Sequence, residues 1–373
     1  MMNYKEALFF IGKSLTINHE NHNKIIVENE LKSNTIDWDA VVKVSTAHFV
    51  FPALYCNLKK ANFLQYLPSD LVEYMKHITD LNRERNQQII TQAKEINELL
   101  IENNITPIFL KGTGNLLEGL YDDIAERMVG DIDLIVRKNK TQETYKLLKK
   151  NKYYSKIKGA YIEGRHLKRL IRDDRIAAIE IHKEMISNQN ISEFNLNLII
   201  KDLIIKNNQH FLGYADQLNL SIIAKQINDN GYYFKDISLR NAYDVFLLSK
   251  KTSTKNAFNY LDELKNPLTC FLASCYVVFN QPKSLEYIST EKVKKYIKTF
   301  NKHLNNPSLK NKHFKKTKRK LFFKSRLNIV YKSIFSKEYR SWVIIRVTNI
   351  KWHKEKLVKH MKNLNKTLNF LKI

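Results

Sequence analysis

Two aspartates, Asp131 and Asp133, are the residues whose type and spacing best suit chemistry in this chain. In a β-strand, residues two apart point to the same face, so both carboxylates would project into one site. Two carboxylates on one face repel each other unless a cation lies between them. Mg²⁺ suits this position, because it prefers oxygen ligands and usually binds one or two carboxylates together with substrate phosphates. The spacing therefore indicates a divalent-metal site.

A third carboxylate, Glu180, interrupts an otherwise apolar run from Ile176 to His182 that reads as a strand. An unpaired carboxylate is costly to bury, so Glu180 is expected to belong to the site and not to the core. On a neighbouring strand it would lie beside Asp131 and Asp133. Three acidic groups can hold two metal ions, one activating an attacking hydroxyl and one binding a triphosphate, as in-line phosphoryl displacement requires.

The tripeptide Lys111-Gly112-Thr113 precedes these carboxylates and is a candidate phosphate-binding segment. It follows a short apolar strand and opens a helix. A glycine there lets backbone N–H groups approach a phosphate, and the helix dipole favours the anion. Thr113 would add a hydroxyl and Lys111 a positive charge, although the tripeptide alone carries little weight.

Taken one at a time, these residues also have simpler interpretations. An Asp-x-Asp pair is more often a solvated strand end or turn than a metal site. Glu180 alone fits an ion-pair partner of Arg172 or Arg175, and His182 alone fits a half-buried polar residue. Their joint order along the chain favours the metal site.

Hydrophobic periodicity predicts the elements that position these residues. A long amphipathic helix, 71–103, is expected to be capped by Ser69-Asp70 and to lead into the catalytic unit, while Pro52 marks a kink or break in the helices before it. A basic loop, 165–175, precedes the strand with Glu180. The unit itself is predicted to contain strands at 108–110, 132–136 and 176–182, with helices at 114–121 and 141–150.

With only 9 Gly and 6 Pro in 373 residues, the composition favours a mostly helical protein. We predict an α+β fold in which a small mixed β-sheet core is flanked by N- and C-terminal helices. The predicted regions are an N-terminal helical region (1–103), the core (104–215), a C-terminal helical region (216–309) and a basic helical tail (310–373).

The charge is strongly basic, with 63 Lys and Arg against 37 Asp and Glu and a formal net charge of +26. The electrostatic field of such a charge attracts nucleic acid, nucleotides or anionic lipid, although a lysine-rich genome would give a similar excess of basic residues.

Within the tail, the run Lys315–Lys320 is followed by Phe322, Phe323, Ile329 and Tyr331. This pattern permits contact with RNA or with a membrane surface through residues 310–337, and a solvated charged helix is the simpler alternative.

Three cysteines, Cys56, Cys270 and Cys275, are odd in number and lie in apolar surroundings, which fits reduced core thiols.

No N-terminal signal segment is evident, and the apolar stretch 271–279 is too short to span a bilayer. A cytoplasmic protein without a transmembrane segment is expected, and the sequence does not indicate its oligomeric state.

The order of these motifs resembles a bacterial family known as uncharacterised nucleotidyltransferases, a branch of the DNA polymerase beta-like superfamily. The segment that carries the resemblance runs from Leu110 to Val136 and includes Tyr121 and Arg127. The superfamily's usual Gly-Ser is Gly112-Thr113 here, and threonine keeps the hydroxyl. Supporting similarities lie at Ala47-His48, Pro52–Tyr55, Arg165-His166, Ile179–His182 and Asp244, so that the resemblance covers about residues 40 to 250.

The resemblance implies a sheet-and-helix nucleotidyltransferase core that uses Mg²⁺ or Mn²⁺ to transfer a nucleoside monophosphate from a nucleoside triphosphate. It leaves the acceptor hydroxyl open among RNA, protein and small molecules, and it does not name the base. The implied metal ligands and catalytic residues are Asp131, Asp133 and Glu180. Phosphate contacts are expected from Lys111, Gly112, Thr113 and Arg127, and substrate contacts from Arg165, His166 and His182.

A different class of function also fits the charge. The chain would then keep the nucleotidyltransferase fold with little or no turnover and act as a basic RNA-binding protein or a toxin–antitoxin partner. Affinity that falls steeply with salt would be its signature.

Overall fold

A computed structural model describes residues 2–157, 162, 164–186 and 190–349 of the chain. The chain divides into two units. The first comprises Met1–Lys156 and Gly164–Phe314, and it contains every residue predicted for the site. The described part of the second unit is mainly residues 315–349.

A five-stranded mixed sheet lies at the centre of the first unit, in the order β3-β2-β1-β5-β4. Its strands are β1 (Ile108–Phe109), β2 (Asp131–Ile135), β3 (Ala178–His182), β4 (Ile204–Lys206) and β5 (Gln209–Phe211). The β2 strand is parallel to β3 and antiparallel to β1, whereas β1 is parallel to β5. The predicted α+β fold, mostly helical with a small mixed sheet, is confirmed.

The prediction of only three strands was wrong, because it missed the hairpin formed by β4 and β5. Each strand has three residues, too few for an alternating pattern to emerge. The turn between them is Asn207-Asn208, and both asparagines have positive φ, at 51° and 56°. Two such residues form the type of turn that matches the twist of a hairpin.

Five α-helices precede the sheet: α1 (Tyr4–Ser14), α2 (Asn21–Lys32), α3 (Trp38–Ala47), α4 (Phe51–Lys60) and α5 (Ser69–Glu102). Pro52 lies in the first turn of α4, so the break comes before it, where a proline's missing N–H costs nothing. The predicted Ser69-Asp70 cap was wrong, because α5 already begins at Ser69 after Pro68 and has no side-chain cap hydrogen bond.

Amide side chains along the buried face of α5 hold the segments that lead into the two central strands. Asn86 Nδ2 donates to the backbone oxygen of Arg127, four residues before β2, at 2.7 Å. Gln92 donates to the oxygen of Ala177 at 2.9 Å and accepts from its N–H at 3.1 Å. Since Ala177 immediately precedes β3, α5 fixes the entrance of both strands.

The remaining α-helices of the first unit follow β1 in the chain. They are α6 (Lys111–Glu118), α7 (Thr141–Lys150), α8 (Leu196–Ile199), α9 (Tyr214–Ile223), α10 (Gly231–Phe234), α11 (Leu239–Ser249), α12 (Thr254–Ala257), α13 (Lys265–Val278) and α14 (Glu291–Asn305). The bounds of α7 are as predicted, whereas α6 begins three residues earlier than expected. Cys270 and Cys275 are buried free thiols of α13, and Cys56 is also free.

Helical structure continues through the described part of the tail, in α15 (Pro307–Phe335) and α16 (Lys337–Thr348). Neither helix contains a buried residue. The part of the predicted tail from residue 350 to 373 lies outside the described residues. Among the helices of the described ranges, none combines the length and apolar character needed to cross a membrane.

Candidate active site

The parallel register of β2 and β3 brings the predicted carboxylates together. Asp133 lies opposite Glu180, and Asp131 lies opposite Ala178. The next same-face position pairs Ile135 with His182, which places the histidine deeper in the sheet than Glu180. Asp131 stands at the start of β2, and its side chain is more exposed than that of Asp133.

Asp133 is a buried carboxylate with two close basic partners. Its Oδ1 lies 2.7 Å from Lys111 Nζ and 2.8 Å from His182 Nε2. Burial opposes ionisation, but the Lys111 charge and the hydrogen bond with His182 outweigh it and hold the pKa of Asp133 well below its usual range. Burial lowers the pKa of His182. A neutral His182 donating from Nε2 to an ionised Asp133 satisfies both groups.

Glu180 lies between two histidines and completes a cluster able to bind a cation. Its Oε2 lies 3.9 Å from Nε2 of both His166 and His182. Asp133, Glu180 and His182 each offer one potential ligand atom, and these three atoms lie within 4.8 Å of one another. Within the described ranges, these three residues are the group whose geometry suits a metal ion. His182, predicted as a substrate contact, is thus closer to the other two than Asp131 is.

Asp131 is held by groups other than this cluster. Its carboxylate forms an ion pair with Arg169. Its backbone oxygen accepts a hydrogen bond from the Thr113 hydroxyl at 2.7 Å. Thr113 is buried and is not among the cavity-lining residues. The hydroxyl that was predicted to contact phosphate therefore fixes the first residue of β2.

The predicted basic loop runs antiparallel along the outer edge of β3. Leu170 exchanges backbone hydrogen bonds with Ile179, and Leu167 N–H donates to the oxygen of Ile181. This pairing explains how Arg169 reaches Asp131 and how His166 reaches Glu180. The segment was predicted as a loop because its basic residues interrupt any alternating apolar pattern.

Tight packing fixes the beginning of α6 against β1 and β2. Lys111 has φ of 53°, a left-handed conformation that turns the chain sharply from β1 into the helix. A Cβ on Gly114 would lie only 2.6 Å from the oxygen of Phe109. On Gly112 it would lie 3.0 Å from a Val129 methyl and 3.4 Å from the Arg127 guanidinium carbon. Glycine is therefore required at 114 and favoured at 112.

Arg127, predicted to contact phosphate, forms a buried ion pair. Its Nε donates to both oxygens of Asp244 on α11, at 2.9 and 3.1 Å, and its Nη1 donates to the oxygen of Met128 at 2.8 Å. Burial lowers the pKa of Arg127, but the Asp244 carboxylate raises it by more, so the guanidinium is charged. Asp244 also accepts from the Tyr121 hydroxyl at 2.7 Å.

A cavity of about 260 Å³ opens in front of the carboxylates. Asp131, Asp133, Glu180 and Arg165 line one wall together with the start of α6. The opposite wall consists of Ser221, Ala224, Asn228, Asp229, Arg240, Asn241 and Asp244, and of these only Asp244 was noted in the sequence, without a role in the site. The signal that could have added Arg240 is its position one turn before Asp244, with which it forms the two charges of a largely apolar helix.

The model of the family described as "Uncharacterised nucleotidyltransferase" matches residues 34–280. The match includes β1 to β3, the start of α6 and both walls of the cavity, and it extends beyond the residues 40 to 250 of the sequence resemblance. No curated protein and no solved structure matches the chain. Because the family match covers about two thirds of its residues, the chain belongs to the uncharacterised nucleotidyltransferase family.

Proposed function

We propose that the protein transfers a nucleoside monophosphate from a nucleoside triphosphate to an acceptor hydroxyl. The observation that carries the proposal is the register of β2 and β3, in which Asp133 faces Glu180 beside the start of α6. In this reaction the acceptor oxygen forms a bond to the α-phosphorus, the bond from the α-phosphorus to the bridging oxygen breaks, and pyrophosphate leaves. The acceptor belongs to RNA, a protein or a small molecule.

The residues at the site fit a divalent cation. Asp133 and Glu180 supply the hard oxygen donors that Mg²⁺ and Mn²⁺ prefer, and His182 adds a nitrogen donor that Mn²⁺ accepts more readily than Mg²⁺. When bound, such a cation would polarise the phosphoryl oxygens and neutralise charge that develops during transfer. Asp131 lies on the same face and is proposed to join this set once Arg169 releases it.

The side chains around the cluster have separate proposed roles. Lys111 neutralises Asp133 in the free protein and would turn to the phosphates when a cation takes its place. Gly112 leaves room for a phosphate near the backbone N–H groups of α6. Glu180 is the carboxylate proposed to accept the proton of the acceptor hydroxyl. His166 and Arg165 are proposed to contact the substrate from the edge of β3.

The test is incorporation of label from each α-labelled nucleoside triphosphate into cell lysate, with Mg²⁺ or Mn²⁺. We expect transfer by the natural protein and a loss of about 100-fold or more in Asp133→Asn and Glu180→Gln. Glu143→Gln, which removes an exposed carboxylate of α7, is the matched control and should transfer normally. Equal transfer by all four proteins, or no transfer by any, would contradict the proposal.

A second candidate function, polyanion binding through the tail, rests on a separate observation. From Lys315 to Phe335 each charged residue is basic, and no side chain of α15 is buried. Phosphates of RNA would neutralise this charge and release counterions. The chain would then act as an RNA-binding or toxin–antitoxin partner with little turnover.

Retention of RNA by the whole protein over a series of salt concentrations tests this candidate. Lys315→Glu combined with Lys316→Glu and Lys320→Glu should weaken retention and flatten its salt dependence. The control replaces three exposed lysines of α14, Lys292, Lys295 and Lys298, in the same way. Equal RNA retention by the tail variant and the natural protein would exclude the candidate. Binding to anionic vesicles without binding to RNA would assign the tail to a membrane surface.

A further inference from the structure

Arg240, on the cavity wall opposite the carboxylates, is a cation without an ion-pair partner. It lies in the first turn of α11 and lines the same cavity as Asp133 and Glu180. Its Nε is buried and has no hydrogen-bond partner. Within the described part of the chain, no carboxylate forms an ion pair with its guanidinium. Most half-buried arginines are compensated, so this one is available to an anion.

The reason that Arg240 lacks a partner is the competition for Asp244. Asp244 is four residues further along α11, a spacing at which opposite charges on a helix can pair. Arg127 and Tyr121 already donate to this carboxylate, and Arg127 contacts both of its oxygens. The carboxylate on its own helix is therefore used by another arginine, and Arg240 lines the cavity without an ion-pair partner of its own.

The N-terminal helices hold Arg240 in position. Its guanidinium carbon lies 5.0 Å from the ring centroid of Phe49, a cation–π contact. Phe49 has φ of 58°, which is unusual for a bulky residue, and its ring is half-exposed. The adjacent His48 accepts a hydrogen bond at Nδ1 from the N–H of Leu239, at 3.2 Å. The segment between α3 and α4 thus fixes both the start of α11 and the arginine.

We propose that Arg240 binds the β- and γ-phosphates of the nucleoside triphosphate, with Phe49 as its positioning residue. This inference rests on the proposed function. Transfer requires the α-phosphorus near Asp133 and Glu180, so the pyrophosphate moiety must extend away from these carboxylates, towards a cation that they do not neutralise. When the bond to the α-phosphorus breaks, the leaving pyrophosphate gains negative charge, which the Arg240 guanidinium stabilises through charge-assisted hydrogen bonds.

Binding of inorganic tripolyphosphate and of nucleoside mono- and triphosphates, measured by calorimetry with the whole protein, tests this role. In Arg240→Gln we expect affinity for tripolyphosphate and triphosphates to fall about 10- to 100-fold, with little change for monophosphates. Phe49→Leu should weaken the same ligands about 2- to 5-fold, because it keeps an apolar side chain but removes the ring face. Arg137→Gln removes an exposed arginine outside the cavity and should bind as the natural protein does.

The melting temperature of the free protein separates binding from a structural role. Arg240→Gln should melt close to the natural protein, because the native guanidinium has no ion-pair partner to lose and gives up only its contact with the half-exposed Phe49 ring. Unchanged tripolyphosphate affinity, or an equal loss for mono- and triphosphates with a lower melting temperature, would overturn the inference. Binding of tripolyphosphate that depends on Arg240, in a protein that transfers no nucleotide, would support the anion site while the proposed function fails.

Discussion

Arg127 and Asp244 form a buried, two-point ion pair although they are 117 positions apart in the chain. The pair joins the segment before β2 to α11, and so it links the two walls of the cavity. The side chains of both residues are almost completely buried, at 7% and 2% exposure. Breaking the pair from either side would leave a charge without a partner inside the protein.

We predict that Asp244→Asn lowers the free energy of unfolding by about 3 to 5 kcal/mol, because it leaves the buried Arg127 guanidinium without an ion-pair partner. Chemical denaturation measures the change. The double variant Arg127→Met with Asp244→Leu should recover much of the loss, since it leaves no buried charge. A single variant as stable as the natural protein would show that the ion pair contributes nothing.

We predict that the ionisation of buried Glu126 lowers the free energy of unfolding as the pH rises. Burial raises its pKa from 4.5 to about 7, even though the Tyr243 hydroxyl donates to it at 2.6 Å. A raised carboxyl pKa means that the folded state binds the proton more tightly than the unfolded state. Its stabilising contribution is therefore full below pH 4.5 and declines up to about pH 7, by about 3 kcal/mol in total.

Unfolding of the natural protein and of Glu126→Gln, compared from pH 4 to 8, checks this expectation. Glutamine cannot ionise, so the difference between the two free energies of unfolding should change from about pH 4.5 to about pH 7 and be constant above that. Two parallel pH profiles would mean that Glu126 titrates normally.

Two glycines, Gly114 near the start of α6 and Gly130 just before β2, should respond differently to alanine. Gly114→Ala places a Cβ 2.6 Å from the oxygen of Phe109, which forces β1 and α6 apart and should cost about 1 to 3 kcal/mol. Nothing lies within 4 Å of a Cβ on Gly130, and its φ is not positive, so Gly130→Ala should be nearly as stable as the natural protein. Thermal denaturation of the two variants provides the comparison, and equal melting temperatures would argue against the close contact.

His182 should contribute to binding of Mn²⁺. If it supplies a ligand or orients Asp133, then His182→Asn should weaken Mn²⁺ binding about 10- to 100-fold. Calorimetric titration of the metal-free protein with Mn²⁺ alone measures the effect. His22→Asn, at an exposed histidine of α2, is the control. An unchanged affinity in His182→Asn would restrict this histidine to a packing role.

The sequence was informative where one strand or one helix is long enough to show its period. The apolar residues around Asp133 and Glu180 predicted β2 and β3, and their carboxylates do face each other across the parallel register. The predicted bounds of α7 were also correct. In each case the residues that decide the structure lie within about ten positions of one another.

Relationships between distant parts of the chain could not be predicted from spacing. Nothing local distinguishes Arg127, which is paired, from Arg240, which is not, because the difference depends on which of them reaches Asp244. The hydroxyl of Thr113 has the same character whether it contacts a phosphate or, as here, the backbone of Asp131. Only the folded chain selects between these partners.

Two amide side chains of α5 set the spacing between the strands that carry the carboxylates, β2 and β3. Asn86 forms a hydrogen bond with the backbone before β2, and Gln92 forms one with the backbone before β3. The six-residue interval between these two amides therefore sets the relative position of the two strands. Inserting one residue in that interval would turn one amide by about 100° relative to the other and release one strand. The predicted core, 104–215, would therefore depend on a helix outside its own boundaries, and this part of α5 should tolerate substitutions on its exposed face but no change in length.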